Sequence, residues 1–415
     1  MRLQAWLILS VVLCCGHLRA ETAAEQARAG GELVELRGYS ILRLTGSDSR
    51  SRGFAHGYYL AEHVIGSLDD ALRSLPWFGA DSYEQQLRPW SANKFHWDAD
   101  AKDELAGLYA GMLARLGPER LRSVVLGRAL QPDDLFAINC IADWFGPACS
   151  GFTAWGKLTP DGKVIHGRNL DFPIGGRAVS NQVILAVAAL PEREGRPARR
   201  AWIGVGWPGL VSLYSGMNDA GLVCCLHDSN NVKHGGADEG FVARGVLLRR
   251  ILESVDPRAG DPGAASAKLA AERPTACGNL FHLSWPGGAG DLPPAAVLEF
   301  DAQDRDGGEA VQIRRMDASQ RLVVTNHYCV RRAPQSCDRF AQIGLALGLL
   351  ASQSQPIGVP EARRVLIAGK LAAAAHTLVF EPADLRMTVS VTRGNVLSPH
   401  AAGTTFTLAE LFAKP

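Results

Sequence analysis

The sequence predicts an α+β fold, in which helices are grouped before, between and after long strands instead of alternating with them. Two observations support this prediction. Apolar residues recur three and four positions apart through much of the first part of the chain, and short continuous apolar runs bounded by turn residues follow. The chain has 415 residues, of which 47 % are apolar and 20 % are charged. A sizeable core in one large domain or two smaller ones is therefore expected.

The part before residue 148 is predicted to be mainly helical. Apolar alternation at 32–45 indicates two short strands. A helix is indicated further on by apolar residues at helical spacing, and Gly117-Pro118 ends it. Its apolar residues are Leu105, Leu108, Met112 and Leu116. Asp133 and Asp134 are placed to cap a second helix, which Gly146-Pro147 ends.

The part after residue 148 is predicted to consist of long strands with a few helices. A hairpin is expected between 149 and 171, around the turn Thr159-Pro160-Asp161-Gly162. Further strands are predicted at 183–190, 202–214, 221–227, 296–300, 310–315, 321–325, 377–380 and 387–391. Helices are predicted at 241–254, 338–351 and 360–373, and a loop or loose helical excursion at 255–276.

The first twenty residues have the pattern of a secretory signal. Arg2 gives a positive start, an apolar run follows, and Ala20 provides a small residue before Glu21. We expect a mature, exported protein, periplasmic or secreted, that begins near residue 21; an N-terminal anchor helix is the alternative. The net charge of +1 gives no electrostatic indication of a nucleic acid or an anionic membrane as partner.

Seven cysteines remain after the signal segment, and an odd number in an exported protein draws attention to a reactive thiol. Cys329 and Cys337 are close enough in sequence to pair, but the pattern does not determine any pairing. No metal or cofactor is predicted, because the histidines show no H-E-x-x-H spacing and no C-x-x-C occurs. The G-x-G-x-x-G match at 204–209 is interpreted as a turn, since no helical pattern follows it. His56 is interpreted as a histidine packed on the core, with a catalytic role as the alternative.

Cys149 is the strongest candidate for a catalytic residue. A thiol can attack the carbonyl that precedes it, and the small neighbours Ala148 and Ser150 leave room for this. Cleavage would give Cys149 a free α-amine, whose ordinary pKa near ~8 suits a base. Arg168 would favour a thiolate, and Asp171 could accept a hydrogen bond from the α-ammonium or from Arg168. Residues three apart on a strand face opposite ways, so a bulge or strand end near Asn169 is expected. The alternative is a buried structural cysteine.

Several motifs in order along the chain resemble those of cysteine N-terminal nucleophile (Ntn) hydrolases. They are Cys149-Ser150 with Gly167-Arg168-Asn169-Leu170-Asp171-Phe172, Gly53-Phe54-Ala55-His56-Gly57, Gly216–Leu222, Thr325-Asn326-His327 and Cys337-Asp338-Arg339. The resemblance is to the penicillin V acylase and bile salt hydrolase group, to acid ceramidase and, most of all, to the isopenicillin N acyltransferase family. It implies an αββα four-layer sandwich of two packed antiparallel sheets flanked by helices.

The resemblance also implies a role for each matching residue. Cys149 matches the nucleophile, Arg168 the arginine near its sulfur and Asp171 the aspartate that holds the α-amine. Asn326 matches an oxyanion-hole donor, and Arg339 matches the arginine that supports the site. The expected precursor is cut into chains 21–148 and 149–415, which stay associated. One departure is His227-Asp228, which stands where bile salt hydrolases carry a second oxyanion residue.

The expected activity is that of a hydrolase or acyltransferase acting on a linear amide, such as an N-acyl amine, an N-acyl amino acid or a lipid amide. The reaction would pass through a thioester on Cys149. Two alternatives remain open at this point. One is an ester hydrolase of the phospholipase B-like kind on the same fold, and the other is an exported binding protein that no longer cleaves.

Overall fold

A computed structural model describes residues 22–413, apart from 75–78, 147, 173–176, 194, 234–239, 288–291, 302–309, 317–318, 332–335 and 370–372. The predicted signal at 1–20 and Pro147 therefore lie outside the described residues. In the part of the chain that the structure describes, no helix is long and apolar enough to cross a membrane.

Helices make up most of the chain before Cys149 and recur in the second half. Helix α1 covers 22–30. The others are α2 (Ser49–Ser74), α3 (Ala80–Ser82), α4 (Arg88–Lys94), α5 (Ala99–Leu116), α6 (Pro132–Asn139), α7 (Ile141–Trp144), α8 (Arg177–Ser180), α9 (Arg244–Ser254), α10 (Pro262–Ala271), α11 (Asp338–Ser352), α12 (Val359–Ala368) and α13 (Leu408–Phe412). A π-helical turn at Tyr83–Leu87 joins α3 to α4.

A nine-stranded sheet is built from strands before and after Cys149. Its order is β1-β2-β7-β8-β9-β10-β11-β12-β13. The strands are β1 (Gly31–Leu36), β2 (Tyr39–Leu44), β7 (Val183–Val187), β8 (Trp202–Gly206), β9 (Ser215–Asn218), β10 (Val223–Lys233), β11 (Cys277–Ser284), β12 (Ala295–Phe300) and β13 (Val311–Arg314). A separate hairpin pairs β3 (Arg122–Ser123) with β4 (Arg128–Ala129).

The second large sheet has six strands in the order β14-β5-β6-β15-β16-β17. They are β5 (Ala148–Gly156), β6 (Gly162–Asp171), β14 (Arg321–Val324), β15 (Ala374–Glu381), β16 (Arg386–Val391) and β17 (Thr404–Thr407). All its pairs are antiparallel. The nine-stranded sheet departs from the expected antiparallel pairing at one place, where β2 runs parallel to β7. Helices and the β5–β6 hairpin connect these two strands, and a long connection of this kind permits parallel pairing.

The two large sheets pack face to face with helices on both outer faces. Alternate residues of one strand face opposite sides, so Ile184 contacts the other sheet while Leu185 faces the helices. Leu378 and Phe380 of β15 complete the apolar layer between the sheets. Helices α2, α5 and α9 cover the nine-stranded sheet, and α11 and α12 cover the six-stranded one. This is the αββα arrangement that the sequence motifs implied.

Glycines allow α2 and α5 to approach each other closely. A Cβ atom at Gly53 would lie 1.9 Å from the carbonyl oxygen of Glu104, and one at Gly57 would lie 1.9 Å from that of Leu108. Gly107 and Gly111 of α5 are equally confined by the main chain of α2. Part of the motif Gly53–Gly57 is thus explained by helix packing, because any side chain at its two glycines would separate the helices.

The observed elements depart from the predicted ones at a strand end and a missed strand, and they decide between the loop and the helix expected at 255–276. The strand expected at 202–214 ends at Gly206, and residues 207–214 form a loop. A helix, α10, occupies the segment predicted as a loop or loose helix. Strand β11 was not predicted, because Asn279, His282 and Ser284 interrupt its apolar pattern. The described residues contain no disulfide bond.

Candidate active site

Cys149 is the second residue of β5, at the end of the β5–β6 hairpin. It pairs with Leu170, and Gly151 pairs with Arg168. Directly paired residues point to the same face of a sheet, so Cys149 and Arg168 both face the nine-stranded sheet. Cys149 is fully buried. The hairpin therefore brings together two residues that are 19 positions apart in sequence.

Arg168 lies on the thiol side of Cys149. The carbonyl oxygen of Leu226 accepts a hydrogen bond from Nη2 of Arg168 at 2.9 Å and one from Sγ of Cys149 at 3.5 Å. Arg168 also donates to Oγ of Ser215 at 2.6 Å and to the carbonyl of Asn169 at 3.0 Å. No carboxylate of the described residues forms an ion pair with this buried guanidinium. A buried cation surrounded by neutral acceptors favours an anion beside it, and a thiolate at Cys149 would supply one.

Burial nevertheless dominates the ionisation of the thiol in the uncut chain. It raises the pKa of Cys149, while the charge of Arg168 and a hydrogen bond from it oppose this rise. Asp171 raises the pKa further and Arg339 lowers it. The expected influence of Arg168 thus has the right direction but does not outweigh desolvation. The uncut chain holds Cys149 mainly as a thiol and requires a base to activate it.

A second group of polar residues holds the main chain of Cys149. Its N–H donates to Oδ1 of Asn326 at 2.8 Å, and Nη2 of Arg339 donates to the same oxygen at 2.7 Å. Nη1 of Arg339 lies 3.2 Å from the carbonyl oxygen of Cys149 and 3.3 Å from Oδ2 of Asp171. The structure therefore brings together all five of the predicted site residues, Cys149, Arg168, Asp171, Asn326 and Arg339. Their catalytic roles stay predictions.

Arg168 and Asp171 approach Cys149 from different sides. The expectation was that an irregularity near Asn169 would bring both to the thiol. An irregularity is present, but it lies in the partner strand, where Ala375 is the extra residue between the partners of Leu170 and Asp171. Arg168 faces the nine-stranded sheet, whereas Asp171 ends β6 on the side of Arg339 and of the main chain of Cys149. Asp171 thus lies beside Arg339, which also contacts the main chain of Cys149, and its role in holding the α-amine stays a prediction.

The carboxyl of Asp171 has an unusual electrostatic environment. Burial raises its pKa to about 6, although Arg339 and Arg168 lower it. Oδ1 is buried and has no hydrogen-bond partner among the described residues. A buried oxygen of this kind is costly to leave unsatisfied. A new α-ammonium on Cys149 would provide a donor on this side of the site.

Asn326 is held from both ends of its amide. Besides the two bonds to Oδ1, its Nδ2 donates to the carbonyl oxygen of Asp228 at 2.7 Å. The role of Asn326 as an oxyanion donor stays a prediction. The carboxylate of Asp228 is paired with the buried Arg244. A carboxylate accepts hydrogen bonds and does not donate them. The side chain of Asp228 therefore cannot take the place of the second oxyanion donor that bile salt hydrolases carry at this position.

A buried histidine cluster lies between the sheets close to Cys149. The ring centroids of His166 and His282 are 4.0 Å apart, and those of His227 and His282 are 5.8 Å apart. A Cβ at Gly151 would lie 3.3 Å from Cε1 of His227, so the cluster begins two residues after the nucleophile candidate. Burial lowers the pKa of all three rings. Of the three, only His227 was noted from the sequence, and the cluster itself was not predicted because its members lie on three separate strands.

His56 contacts the loop at 207–214. Its Nε2 accepts a hydrogen bond from the N–H of Gly209 at 3.0 Å. The interpretation of His56 as a histidine packed on the core agrees with this placement. The G-x-G-x-x-G match ends in a turn at Gly209, where φ is 87°, and no helix follows it.

An apolar cavity lies beside the site. It is small, with a volume of about 50 Å³, and almost all of the surface that lines it is apolar. Phe172 directly follows Asp171, and the carbonyl of another lining residue, Tyr214, lies 3.5 Å from Nη2 of Arg168. The remaining walls include Val64, Leu68, Ile138, Trp207 and Leu210. No local sequence pattern marks this cavity, because its walls come from distant segments.

No group of three or more histidine, cysteine, aspartate or glutamate residues within the described ranges is arranged to hold a metal ion. The residues around Cys149 can instead provide a thiol nucleophile, two guanidinium groups, a carboxylate and an amide. These groups suit covalent acyl transfer.

Several solved structures are similar to this chain. A Caenorhabditis elegans ortholog of N-acylethanolamine-hydrolyzing acid amidase is 15% identical, covers 62% of this chain and 99% of its own, and has a TM-score of 0.41. A variant of conjugated bile acid hydrolase from Clostridium perfringens is 12% identical, with 64% and 95% coverage and a TM-score of 0.43. Penicillin V acylase from Agrobacterium tumefaciens is 13% identical, with 59% and 83% coverage and a TM-score of 0.41.

No family model and no curated protein matches the sequence. The names of the similar structures include bile acid hydrolase and penicillin V acylase, two groups that the sequence motifs resemble.

Proposed function

We propose that this chain is a self-processing cysteine amidohydrolase or acyltransferase that acts on linear amides through a thioester on Cys149. One observation carries the proposal. The sulfur and the main chain of Cys149 are held by different groups, with Arg168 on the thiol side and Asn326, Arg339 and Asp171 on the main-chain side. A buried structural cysteine would not need such an arrangement.

The first reaction is cleavage of the peptide bond between Ala148 and Cys149. Sγ attacks the carbonyl carbon of Ala148, the C–N bond breaks, and the nitrogen takes up a proton to become an amine. Water then hydrolyses the thioester, which leaves a carboxylate on Ala148 and a thiol on Cys149. The hydrogen bond from the Cys149 N–H to Asn326 fixes the orientation of the scissile peptide group.

The second reaction is acyl transfer from the substrate. The new α-amine takes the thiol proton, Arg168 stabilises the thiolate, and Sγ attacks the amide carbonyl of the substrate. The α-ammonium, held by Asp171, returns the proton to the departing amine. Water, or a second amine, then attacks the thioester and regenerates the thiol.

The substrate of the proposal is an N-acyl amine, an N-acyl amino acid or a lipid amide with an apolar acyl group. Two features support it. The ordered motifs around Cys149, Asn326 and Arg339 resemble those of amide-cleaving Ntn hydrolases, and the apolar cavity lies next to Asp171 and Arg168.

The two cleavage products are proposed to stay associated. Strand β2 precedes Cys149 and pairs with β7, which follows it, over four residues from Ile41 to Leu44. Helices α2 and α5 share one apolar core with α9 and with the nine-stranded sheet. Separation of the chains would expose this core to water.

Acyl release from matched substrates tests the proposal. Amides and esters that carry the same acyl group are incubated with the purified protein and with Cys149→Ala. We expect amide cleavage by the wild type and none by the variant. Cleavage of the esters alone would favour an ester hydrolase, and no cleavage of either would favour a binding protein; both results contradict the proposal.

A further inference from the structure

We infer that His56 and Asn139 position the loop at 207–214 and thereby determine the acyl-chain selectivity of the active site around Cys149. Both residues precede the proposed cleavage site. The inference rests on the proposed function and adds to it two residues that do not contact the reacting atoms. Four observations support it: the bonds of Asn139, the bond of His56, the position of the loop in the cavity wall and its contact with Arg168.

Asn139 uses three of the four hydrogen bonds of its side-chain amide to hold the loop. It is the last residue of α6 and is 1 % exposed. Nδ2 donates to the carbonyl of Leu135 at 2.9 Å and to that of Gly209 at 3.0 Å. Oδ1 accepts from the N–H groups of Val211 and Ser212 at 2.9 and 3.0 Å. Two donors and two acceptor positions are all an amide side chain offers, so no other residue type of this size makes the same set.

His56 holds the same turn from α2. Its Nε2 accepts from the N–H of Gly209 at 3.0 Å, so His56 and Asn139 bind both polar main-chain groups of Gly209. Burial lowers the pKa of His56 to about 3, which keeps the ring neutral and able to accept near neutral pH. Gly209 has φ of 87°, and a Cβ there would lie 2.9 Å from Cγ1 of Val64. The turn is therefore pressed directly against α2.

The loop forms one wall of the apolar cavity, with Trp207, Leu210 and Tyr214 among the lining residues. The opposite wall comes from α2 and from the α6–α7 region, including Val64 and Ile138, which precede the cleavage site. The cavity thus lies between the two chains that self-cleavage would produce. His56 and Asn139 fix the distance between its walls.

The loop at 207–214 also ends beside Arg168. The carbonyl of Tyr214 accepts from the N–H of Leu226 at 2.9 Å and lies 3.5 Å from Nη2 of Arg168. Leu226 is the residue whose carbonyl the thiol contacts. Displacement of residues 207–213 would therefore widen the cavity, while the pairing of Leu226 with Phe281 of β11 holds Leu226 in place. We expect a loss of chain-length selectivity and not a loss of the chemical step.

A chain-length series tests this inference. The wild type, His56→Phe, His56→Gln and Asn139→Ala are assayed with acetyl, octanoyl and palmitoyl amides of one fluorogenic amine. His56→Phe removes the acceptor for Gly209, whereas His56→Gln keeps an acceptor in a side chain of similar reach. For His56→Phe and Asn139→Ala, the kcat/KM ratio between the preferred long acyl group and acetyl should fall about tenfold or more, mainly through KM. His56→Gln should keep the wild-type ratio.

Asn218→Ala provides a matched control. Asn218 is also buried, and it makes the same set of four bonds in a turn that does not line the cavity, to Leu252, Val255, Ala220 and Leu222. We expect Asn218→Ala to lose about as much stability as Asn139→Ala but to keep the wild-type kcat/KM ratio between the long acyl group and acetyl. If Asn139→Ala does not fold, the inference is tested by the difference in this ratio between His56→Phe and His56→Gln.

The outcomes separate the inference from the function on which it rests. Ratios in His56→Phe and Asn139→Ala equal to that of the wild type would overturn the inference alone. An equal loss in Asn218→Ala would also overturn it, because the effect would then reflect general destabilisation. A wild type that cleaves none of the amides would overturn both the inference and the proposed function.

Discussion

Arg168 and Cys149 donate to the same acceptor, the main-chain carbonyl of Leu226. The thiol and the permanent cation are therefore neighbours on one face of the hairpin, with a fixed dipole between them. When the thiol loses its proton, that carbonyl no longer receives a bond from Sγ, and Arg168 is the positive charge that most lowers the pKa of Cys149. This relationship makes Arg168 the residue whose removal should most affect the ionisation of Cys149.

Replacement of Arg168 by leucine should shift the pH dependence of activity towards alkali. The positive charge lowers the pKa of Cys149, so its loss raises that pKa, and each unit corresponds to a tenfold loss of thiolate. We expect kcat/KM to fall about tenfold or more near neutral pH and to recover partly in alkali. Arg168→Lys, which keeps the charge, should shift the profile less. A profile of Arg168→Leu with the same pH midpoint as the wild type would contradict this role.

Replacement of Arg339 by glutamine should move the acid limb of activity to higher pH. Arg339 lowers the pKa of Asp171, which burial raises to about 6 in the uncut chain. Activity requires the ionised carboxylate, because only that form pairs with the α-ammonium. In the cleaved wild-type protein, the positive charge of the new α-ammonium should lower the pKa of Asp171. The acid limb of activity should therefore lie below about pH 6. Profiles of kcat/KM against pH measure the acid limb in both proteins. An acid limb at the same pH in Arg339→Gln and in the wild type would contradict this role of Arg339.

Replacement of His227 by leucine should reduce the sensitivity of the fold to acid. Burial holds the pKa of His227 well below its ordinary value of about 6.5. As the pH falls below about 6.5, the unfolded chain binds a proton that the folded ring does not. The free energy of unfolding then decreases by about 1.4 kcal/mol per pH unit for each such ring.

Neither ring nitrogen of His227 has a hydrogen-bond partner among the described residues. His227→Leu should therefore change the free energy of unfolding near neutral pH by less than about 1.5 kcal/mol. Urea unfolding at several pH values measures the slope. The exposed His63, replaced by glutamine, is the control and should leave the slope unchanged. A slope for His227→Leu as steep as that of the wild type would count against a buried neutral ring.

Replacement of Gly57 by alanine should destabilise the packing of α2 on α5. A Cβ there would lie 1.9 Å from the carbonyl oxygen of Leu108, so the helices must separate. A loss of about 1–3 kcal/mol in the free energy of unfolding is expected. Gly344, in α11, has no atom within 4 Å of such a Cβ. Gly344→Ala should stabilise by about 0.5–1 kcal/mol, since alanine favours helices. Equal effects of the two substitutions in urea unfolding would disprove the packing argument.

Local patterns predicted much of the fold. The β5–β6 hairpin, α5, α9 and α11 follow from apolar spacing and turn residues, which act over a few positions. Strand β11 was not predicted because His282 and Ser284 face the buried histidine cluster between the sheets and interrupt the apolar alternation. The parallel pairing of β2 with β7 depends on a long connection, and no local pattern encodes it.

The site was predicted less completely than the fold. Cys149, Arg168, Asp171, Asn326 and Arg339 were found through the resemblance of ordered motifs, and their physical chemistry alone left a structural cysteine possible. The shared carbonyl of Leu226 left no signal in the sequence, because every residue has a carbonyl. The extra residue Ala375, which lets Asp171 end β6 on the side of Arg339, depends on the pairing of distant strands.

The central claim is that Cys149 cuts the chain before itself, and the ends of the purified chains test it most directly. Intact mass and N-terminal sequencing are applied to the wild type and to Cys149→Ala from the same host. The account predicts that the wild type contains one chain ending at Ala148 and one beginning Cys149-Ser150-Gly151, while the variant stays joined at this bond. A wild type with the Ala148–Cys149 bond intact, or a variant cut at the same bond, would contradict it.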